Sequence, residues 1–132
     1  MSKKVLILCT GNSCRSIIAE ALINAELDDI SSDSSGVKAS GRVNPNAKKV
    51  LEEAGIWQDA YHSKTIDTVI DNYYDLVVTV CDNAKETCPV FPKAVKTLHI
   101  SFEDPDGKEY GAFEETLKEI RSVLLPEIRK VL

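Results

Sequence analysis

The sequence is poor in long apolar runs. The longest strongly apolar segments, Val5 to Cys9 and Leu76 to Cys81, are far too short to span a bilayer. A secretory leader is not expected either, because Lys3 and Lys4 precede only the short first run, and polar Thr10, Gly11 and Asn12 follow at once. A cytoplasmic location is the resulting expectation. Positive charge is also in short supply: Lys plus Arg number 16 against 21 Asp plus Glu, for a net charge of −5. That balance disfavours readings built on nucleic-acid phosphate contacts and fits poorly with an anionic membrane surface. No repeat, low-complexity tract or Pro/Gly-rich linker divides the chain. No Gly-Lys-Ser or Gly-Lys-Thr is present to make a Walker-type nucleotide loop.

What remains is a globular composition, 43% hydrophobic and 28% charged over 132 residues, which predicts one domain over residues 1–132 with a real core. Its four cysteines, Cys9, Cys14, Cys81 and Cys88, are not expected to form a disulfide framework in a reducing compartment. Catalysis, metal or burial has to explain them. Zinc fits badly, since C-x4-C and C-x6-C depart from the usual ligand spacings and Arg15 adjoins Cys14.

Periodicity predicts strands alternating with helices. Val5–Cys9 reads as a strand covered on both faces. Residues 14 to about 27 read as an amphipathic helix with Ile18, Ala21, Leu22 and Ala25 inward and Glu20, Asn24 and Glu26 outward. The Ser-rich segment from Ile30 to Ser35 is assigned as a strand mainly because the alternation needs one. Asn44-Pro45 starts a helix that Gly55 ends. A short helix opens near Thr65, and strands follow over Asp75–Cys81 and Val95–Ser101. A final helix from Tyr110 to Leu132 carries a kink at Pro126. This order predicts a four-stranded parallel sheet with helices on both faces.

In such a sheet the site lies beyond the carboxyl ends of the strands. Cys9, Cys81 and the acidic loop Glu103-Asp104-Pro105-Asp106 all fall on that edge. Between the first strand and first helix runs Cys9-Thr10-Gly11-Asn12-Ser13-Cys14-Arg15-Ser16, where backbone N–H groups and a helix start can surround an oxyanion. Those donors and Arg15 would hold Cys9 as a thiolate, and Arg15 could fork two N–H bonds onto a tetrahedral oxyanion in front of the sulfur. Gly11 is expected to give the loop its freedom. Cys with Arg six residues later is expected by chance about 0.12 times in such a chain, so position carries more weight than spacing.

Cys9 to Ser16 resembles the phosphate loop of the low-molecular-weight protein tyrosine phosphatase superfamily. Asp104-Pro105 resembles its general-acid loop, and Ser35-Gly36 and Val43-Asn44-Pro45-Asn46-Ala47 match as well. The resemblance implies that superfamily's flavodoxin-like winding, a covalent Cys9 adduct, Asp104 as general acid, and an oxyanion cradle from Thr10 to Ser16. Cys81-Asp-Asn-Ala-Lys-Glu-Thr-Cys88-Pro89 is similar to the redox segment of thioredoxin-coupled arsenate reductases within it. That implies reduction of arsenate to arsenite by Cys9, Cys81 and Cys88 in turn, with thioredoxin as electron donor, no cofactor, and a monomer. Arsenate reduction needs two electrons, which the two extra thiols would supply.

Two other readings are possible. A tyrosine phosphatase would work through phospho-Cys9, but aromatics are then expected after the acid loop, where Asp106-Gly107-Lys108 stands. An oxyanion-binding redox sensor would need an output domain. Cys14 is expected to be a bystander, His62, His99 and Trp57 structural, and Asp104 shares its turn with Glu103 and Asp106. Some of these reductases bind potassium beside the loop. Asn12 with Ser34 or Ser35 could contribute, but His62-Ser63-Lys64-Thr65 offers no carboxylate, and no metal is expected.

Overall fold

A computed structural model describes residues 3–69, 71–80 and 96–132. Cys81, Cys88 and the first residue of the predicted fourth strand lie outside the described residues. Strands β1 (Lys3–Cys9), β2 (Ile30–Gly36), β3 (Leu76–Thr79) and β4 (Lys96–His99) form one sheet in the order β2-β1-β3-β4. All three pairings are parallel. The continuous apolar run of β1 has its cause in this order: it lies between two strands, and Val5 to Leu8 are fully buried on both pleat faces.

Helix α1 (Arg15–Glu26) follows β1 and packs on β1 and β2. It departs from the amphipathic expectation, because Ser16 to Ile23 are all buried. Glu20 is therefore inside, while Ala25, expected in the core, is exposed. The Ser-rich edge strand β2 makes sense against this helix. Its Ser32 N–H donates to Asn24 Oδ1 at 2.8 Å, its Ser32 hydroxyl donates to Glu20 O at 2.9 Å, and its Ser34 hydroxyl donates to the Glu20 carboxylate at 2.6 Å. Buried hydroxyls here join helix to strand, and an aliphatic residue at 34 would remove the hydroxyl that donates to the Glu20 carboxylate.

Helix α2 (Pro45–Glu53) starts and stops as its sequence dictates. The Asn44 side chain accepts from Asn46 N–H at 2.8 Å, and Pro45 opens the helix. Gly55 takes φ +76, and the bonds Ile56 N–H to Leu51 O and Gly55 N–H to Glu52 O, both 3.0 Å, close a Schellman motif. The helix expected near Thr65 is a single 3-10 turn, Ile66–Thr68. There the Thr68 hydroxyl takes Thr65 O at 2.7 Å, which competes with helical propagation through β-branched residues.

At the C-terminus, α3 (Tyr110–Glu119) passes through a π-helical turn, Ile120–Leu124, into α4 (Leu125–Val131) with Pro126 in its first turn. The widened turn immediately precedes Pro126, which lacks the N–H that a regular α-helical turn would use there. Its buried face, including Phe113, Ile120, Leu124 and Ile128, belongs to the core.

Candidate active site

The turn after β1 owes its shape to where its carbonyls go. Cys9 O accepts from Val37 N–H, Thr10 O from Lys38 N–H, Gly11 O from Ser40 N–H and Ser13 O from Asn44 N–H, at 2.9 to 3.1 Å. Cys14 O accepts from Ile18 N–H at 2.9 Å, the first turn of α1. With these carbonyls turned outward, the amide edge of the loop faces the Cys9 sulfur, and Asn12 N–H reaches it at 3.2 Å. Backbone N–H groups of Asn12 and Ser16 thus act on the sulfur at a helix start, an arrangement suited to an oxyanion.

Glycine enters this geometry differently from expectation. Gly11 is not in the left-handed region. Asn12 is, at φ 49, a conformation Asn tolerates better than most side chains. The glycine with no room for a side chain is Gly36, paired with Cys9 across β1 and β2. A Cβ there would lie 2.6 Å from Thr10 O and 3.1 Å from Asn12 N.

Cys9 is 2% exposed. Burial pushes its thiol above the ordinary value, while the Ser16 hydroxyl, the Asn12 N–H and the Arg15 charge pull it down. Burial is the larger influence, so the thiol is raised where the loop donors alone would lower it. The pull of Ser16 has a traceable origin. Asn12 Nδ2 donates to Ser16 Oγ at 2.7 Å and to Ser34 Oγ at 2.9 Å, and Asn12 Oδ1 accepts from Lys64 N–H at 2.8 Å. Ser16 Oγ, which accepts from Asn12, lies 2.9 Å from Cys9 Sγ, where its hydroxyl can donate to a thiolate. Ser34 in turn spends its hydrogen on Glu20. A buried line of hydrogen bonds thus runs from Glu20 to the sulfur.

Glu20 is 5% exposed. Desolvation raises its carboxyl from 4.5 to about 7, against the Ser34 hydrogen bond and the positive charge of Lys64. This is the carboxylate that the potassium reading could not find at residues 62–65. Of the oxygens named for such an ion, buried Ser35 Oγ has no hydrogen-bond partner among the described residues, whereas the others are already engaged. Asn12 Oδ1 and the Ser34 hydroxyl are committed within the protein, and Lys64 brings its own positive charge to Glu20. Among the described residues no group of three or more His, Cys, Asp or Glu could hold a metal ion.

The acid loop leaves the same edge of the sheet. Phe102 N–H donates to Val80 O at 3.1 Å, extending the β3–β4 pairing up to the loop. Arg15 spans the gap from the cradle: Nη1 donates to Phe102 O at 3.0 Å and Nη2 lies 3.5 Å from Asp104 Oδ2. Asp104 Oδ1 accepts from Asp106 N–H at 3.0 Å, and Pro105 between them is buried. Glu103 pairs instead with Lys108 at 2.6 Å, which leaves Asp104 as the acidic side chain at Arg15.

The structure therefore brings Cys9, the 10–16 loop, Arg15 and Asp104 together. Cys14, at the N-cap of α1, is 3% exposed and its thiol is pushed up to about 12 by burial and by the charges of Asp104, Asp106 and Cys9. It stays protonated, in keeping with a bystander. His99 Nδ1 pairs with Thr79 Oγ1 at 2.7 Å across β3 and β4, and His62 Nδ1 with Ala60 O at 2.8 Å. Trp57 packs edge to face on Tyr61 beneath Lys48. Sequence reasoning missed Glu20 as a site residue. Its only signal was one acidic residue four positions after Ser16, which a solvated helix face explains equally well.

Comparisons with known proteins agree with this geometry. The family model described as low molecular weight phosphotyrosine protein phosphatase matches residues 4–130. An arsenate reductase of Bacillus cereus (strain 03BB102) is 45% identical over 120 residues, which is 90% of this chain and 89% of the relative. A crystal structure of arsenate reductase from Archaeoglobus fulgidus superposes with TM-score 0.80 at 33% identity, covering 94% of this chain and 98% of the other. A low molecular weight protein tyrosine phosphatase from T. tengcongensis gives TM-score 0.84 at 27% identity, with 98% and 99% covered.

Proposed function

The chain belongs to the low molecular weight phosphotyrosine protein phosphatase family, and on that premise we propose that it is an arsenate reductase that detoxifies arsenate in the cytoplasm as a single-domain monomer. The observation that carries the reading is the buried Cys9 sulfur at the focus of a loop whose carbonyls turn away from it. The family's arsenate reductases at over 40% identity favour reduction over phosphoester hydrolysis. So does the absence of an aromatic residue at 106–108, where a tyrosine substrate would be gripped.

The chemistry follows from the charges. Burial raises the Cys9 thiol while Ser16 and the Asn12 N–H stabilise its thiolate, and an incoming hydrogen arsenate dianion is itself a base able to take the thiol proton as it enters. The cradle amides of residues 10–16 and the Arg15 guanidinium hold the three non-departing oxygens. Sulfur attacks arsenic in line, the As–O bond opposite breaks, and Asp104 gives its proton to the departing oxygen. Water leaves and an arseno-Cys9 adduct remains.

Cys81 thiolate then attacks Cys9 Sγ. The S–As bond breaks with its electron pair on arsenic, arsenic goes from the +5 to the +3 state, and a Cys9–Cys81 disulfide is left. Cys88 attacks Cys81, frees Cys9 and forms Cys81–Cys88, which a thioredoxin dithiol reduces by exchange. The relay is supported by the position of Val80, whose N–H donates to Leu8 O at 2.9 Å beside the end of β1, with Cys81 the next residue. Arsenate-dependent NADPH oxidation in the presence of thioredoxin and thioredoxin reductase tests the donor. Cys9→Ser, Cys81→Ser and Cys88→Ser should each abolish turnover, and a Cys88 variant at wild-type rate would refute the three-thiol relay.

A further inference from the structure

Asn44 serves the fold as a helix cap, yet it ties together three segments of the site. Its N–H donates to Ser13 O in the phosphate loop at 2.9 Å, its Oδ1 accepts from Asn46 N–H at 2.8 Å, and its Nδ2 donates to Asp106 Oδ1 at 2.7 Å. The first two bonds fix backbone and amide orientation, so the third is aimed before Asp106 arrives. A hydrogen bond between exposed side chains is ordinarily weak because both partners must be ordered to make it. Here one partner is already ordered.

We propose that Asn44 is a positioning residue that holds the acid loop over the cradle through Asp106 and thereby aims the Asp104 carboxyl at the departing oxygen. The proposal rests on the reading of Asp104 as general acid. Asp106 N–H donates to Asp104 Oδ1 at 3.0 Å, a turn closed around buried Pro105. Holding Asp106 therefore holds one oxygen of Asp104 and leaves Oδ2 on the side of Arg15. Phe102 N–H on Val80 O holds the base of the loop, and side chains tie it further on: Arg15, to Phe102 O and Asp104, and Asn44, to Asp106. An oxyanion in the cradle competes with Asp104 for the Arg15 guanidinium. Once Arg15 turns to substrate, the Asn44–Asp106 bond still holds the loop beyond Asp104 at the moment the proton must be delivered.

The bond can be broken and rebuilt without losing the cap, because Asp caps a helix about as well as Asn. Asn44→Asp sets two carboxylates against each other. Asp106→Asn keeps an acceptor for Asn44 Nδ2. The double variant Asn44→Asp with Asp106→Asn restores the bond with donor and acceptor exchanged. The readout is the single-turnover rate of arsenite release from reduced protein, measured across arsenate concentration, with melting temperature recorded for each variant.

Asn44→Asp is expected to slow release at saturating arsenate about tenfold, less than the full hundredfold or more that a general acid contributes. Its half-saturating concentration and melting temperature should be nearly unchanged. Asp106→Asn and the double variant are expected within about twofold of wild type, since both keep a bonded pair. Asn44→Ser, which keeps a capping hydroxyl too short to reach Asp106, is expected to be as slow as Asn44→Asp. Wild-type rate in Asn44→Asp, or a double variant no faster than Asn44→Asp, overturns the proposal. Asp104→Asn at wild-type rate overturns the acid reading and the proposal with it, whereas Asp104→Asn slow and Asn44→Asp fast overturns the proposal alone.

Discussion

Replacing Glu20 by Gln probes the buried end of the hydrogen-bond line. Glu20 is 5% exposed and its carboxyl titrates near 7 in the folded protein instead of 4.5. A folded-state value raised above the unfolded one means that the native protein binds the proton more tightly. The associated stability is fully present below about pH 4.5 and is lost as pH rises through about 7. The distance between the two values corresponds to roughly 3 kcal/mol, of which most accrues between pH 5 and pH 8. Gln keeps the carbonyl oxygen that Ser34 donates to and carries no charge to desolvate. Urea unfolding of both proteins at pH 5, 6, 7 and 8 should show the variant gaining on wild type by roughly 2 to 3 kcal/mol across that range. A difference between the two that does not change with pH would refute the raised Glu20 value and the desolvation argument behind it.

Ser16→Ala removes the hydroxyl 2.9 Å from Cys9 Sγ. Iodoacetamide alkylation of Cys9 at neutral pH should slow about tenfold or more, since a hydrogen bond to a charged group contributes roughly 1.5–3 kcal/mol, and an unchanged rate would place the donor elsewhere. Gly36→Ala drives a Cβ against Thr10 O. Urea unfolding should show a loss of about 1–3 kcal/mol, and the same variant should lose arsenate turnover more steeply than stability, because the displaced atoms belong to the cradle. Exchanging potassium for choline at constant ionic strength should leave the wild-type rate within about twofold, since the charge of Lys64 already acts on Glu20. A larger fall would mean that potassium enters the Glu20 network.

Much of the framework is legible in local sequence because local forces set it. The apolar run of β1, Asn44-Pro45 at the start of α2 and Gly55 at its end each carry their own structural cause. The edge where Cys9 and Asp104 meet follows from strand alternation alone. The remainder depends on contacts distant in sequence. Glu20 looks like a solvated helix residue until Ser34 on β2 and Lys64 on a later loop are brought beside it. Gly11 looks like the flexible point of the loop, yet the steric demand falls on Gly36 because β2 pairs in register with Cys9. The balance of influences on Cys9 is hidden for the same reason. The donors that favour a thiolate lie within seven residues, while the burial that opposes it comes from the packed sheet.

The central claim is that this chain converts arsenate to arsenite with electrons drawn from its own cysteines. Fully reduced protein mixed with excess arsenate, without thioredoxin or any other thiol, tests it in one step when arsenite and free thiols are counted together and the product is mapped by mass spectrometry. The account predicts one arsenite per chain, two of the four cysteine thiols lost, and a Cys81–Cys88 disulfide. No arsenite with all four thiols retained would contradict it.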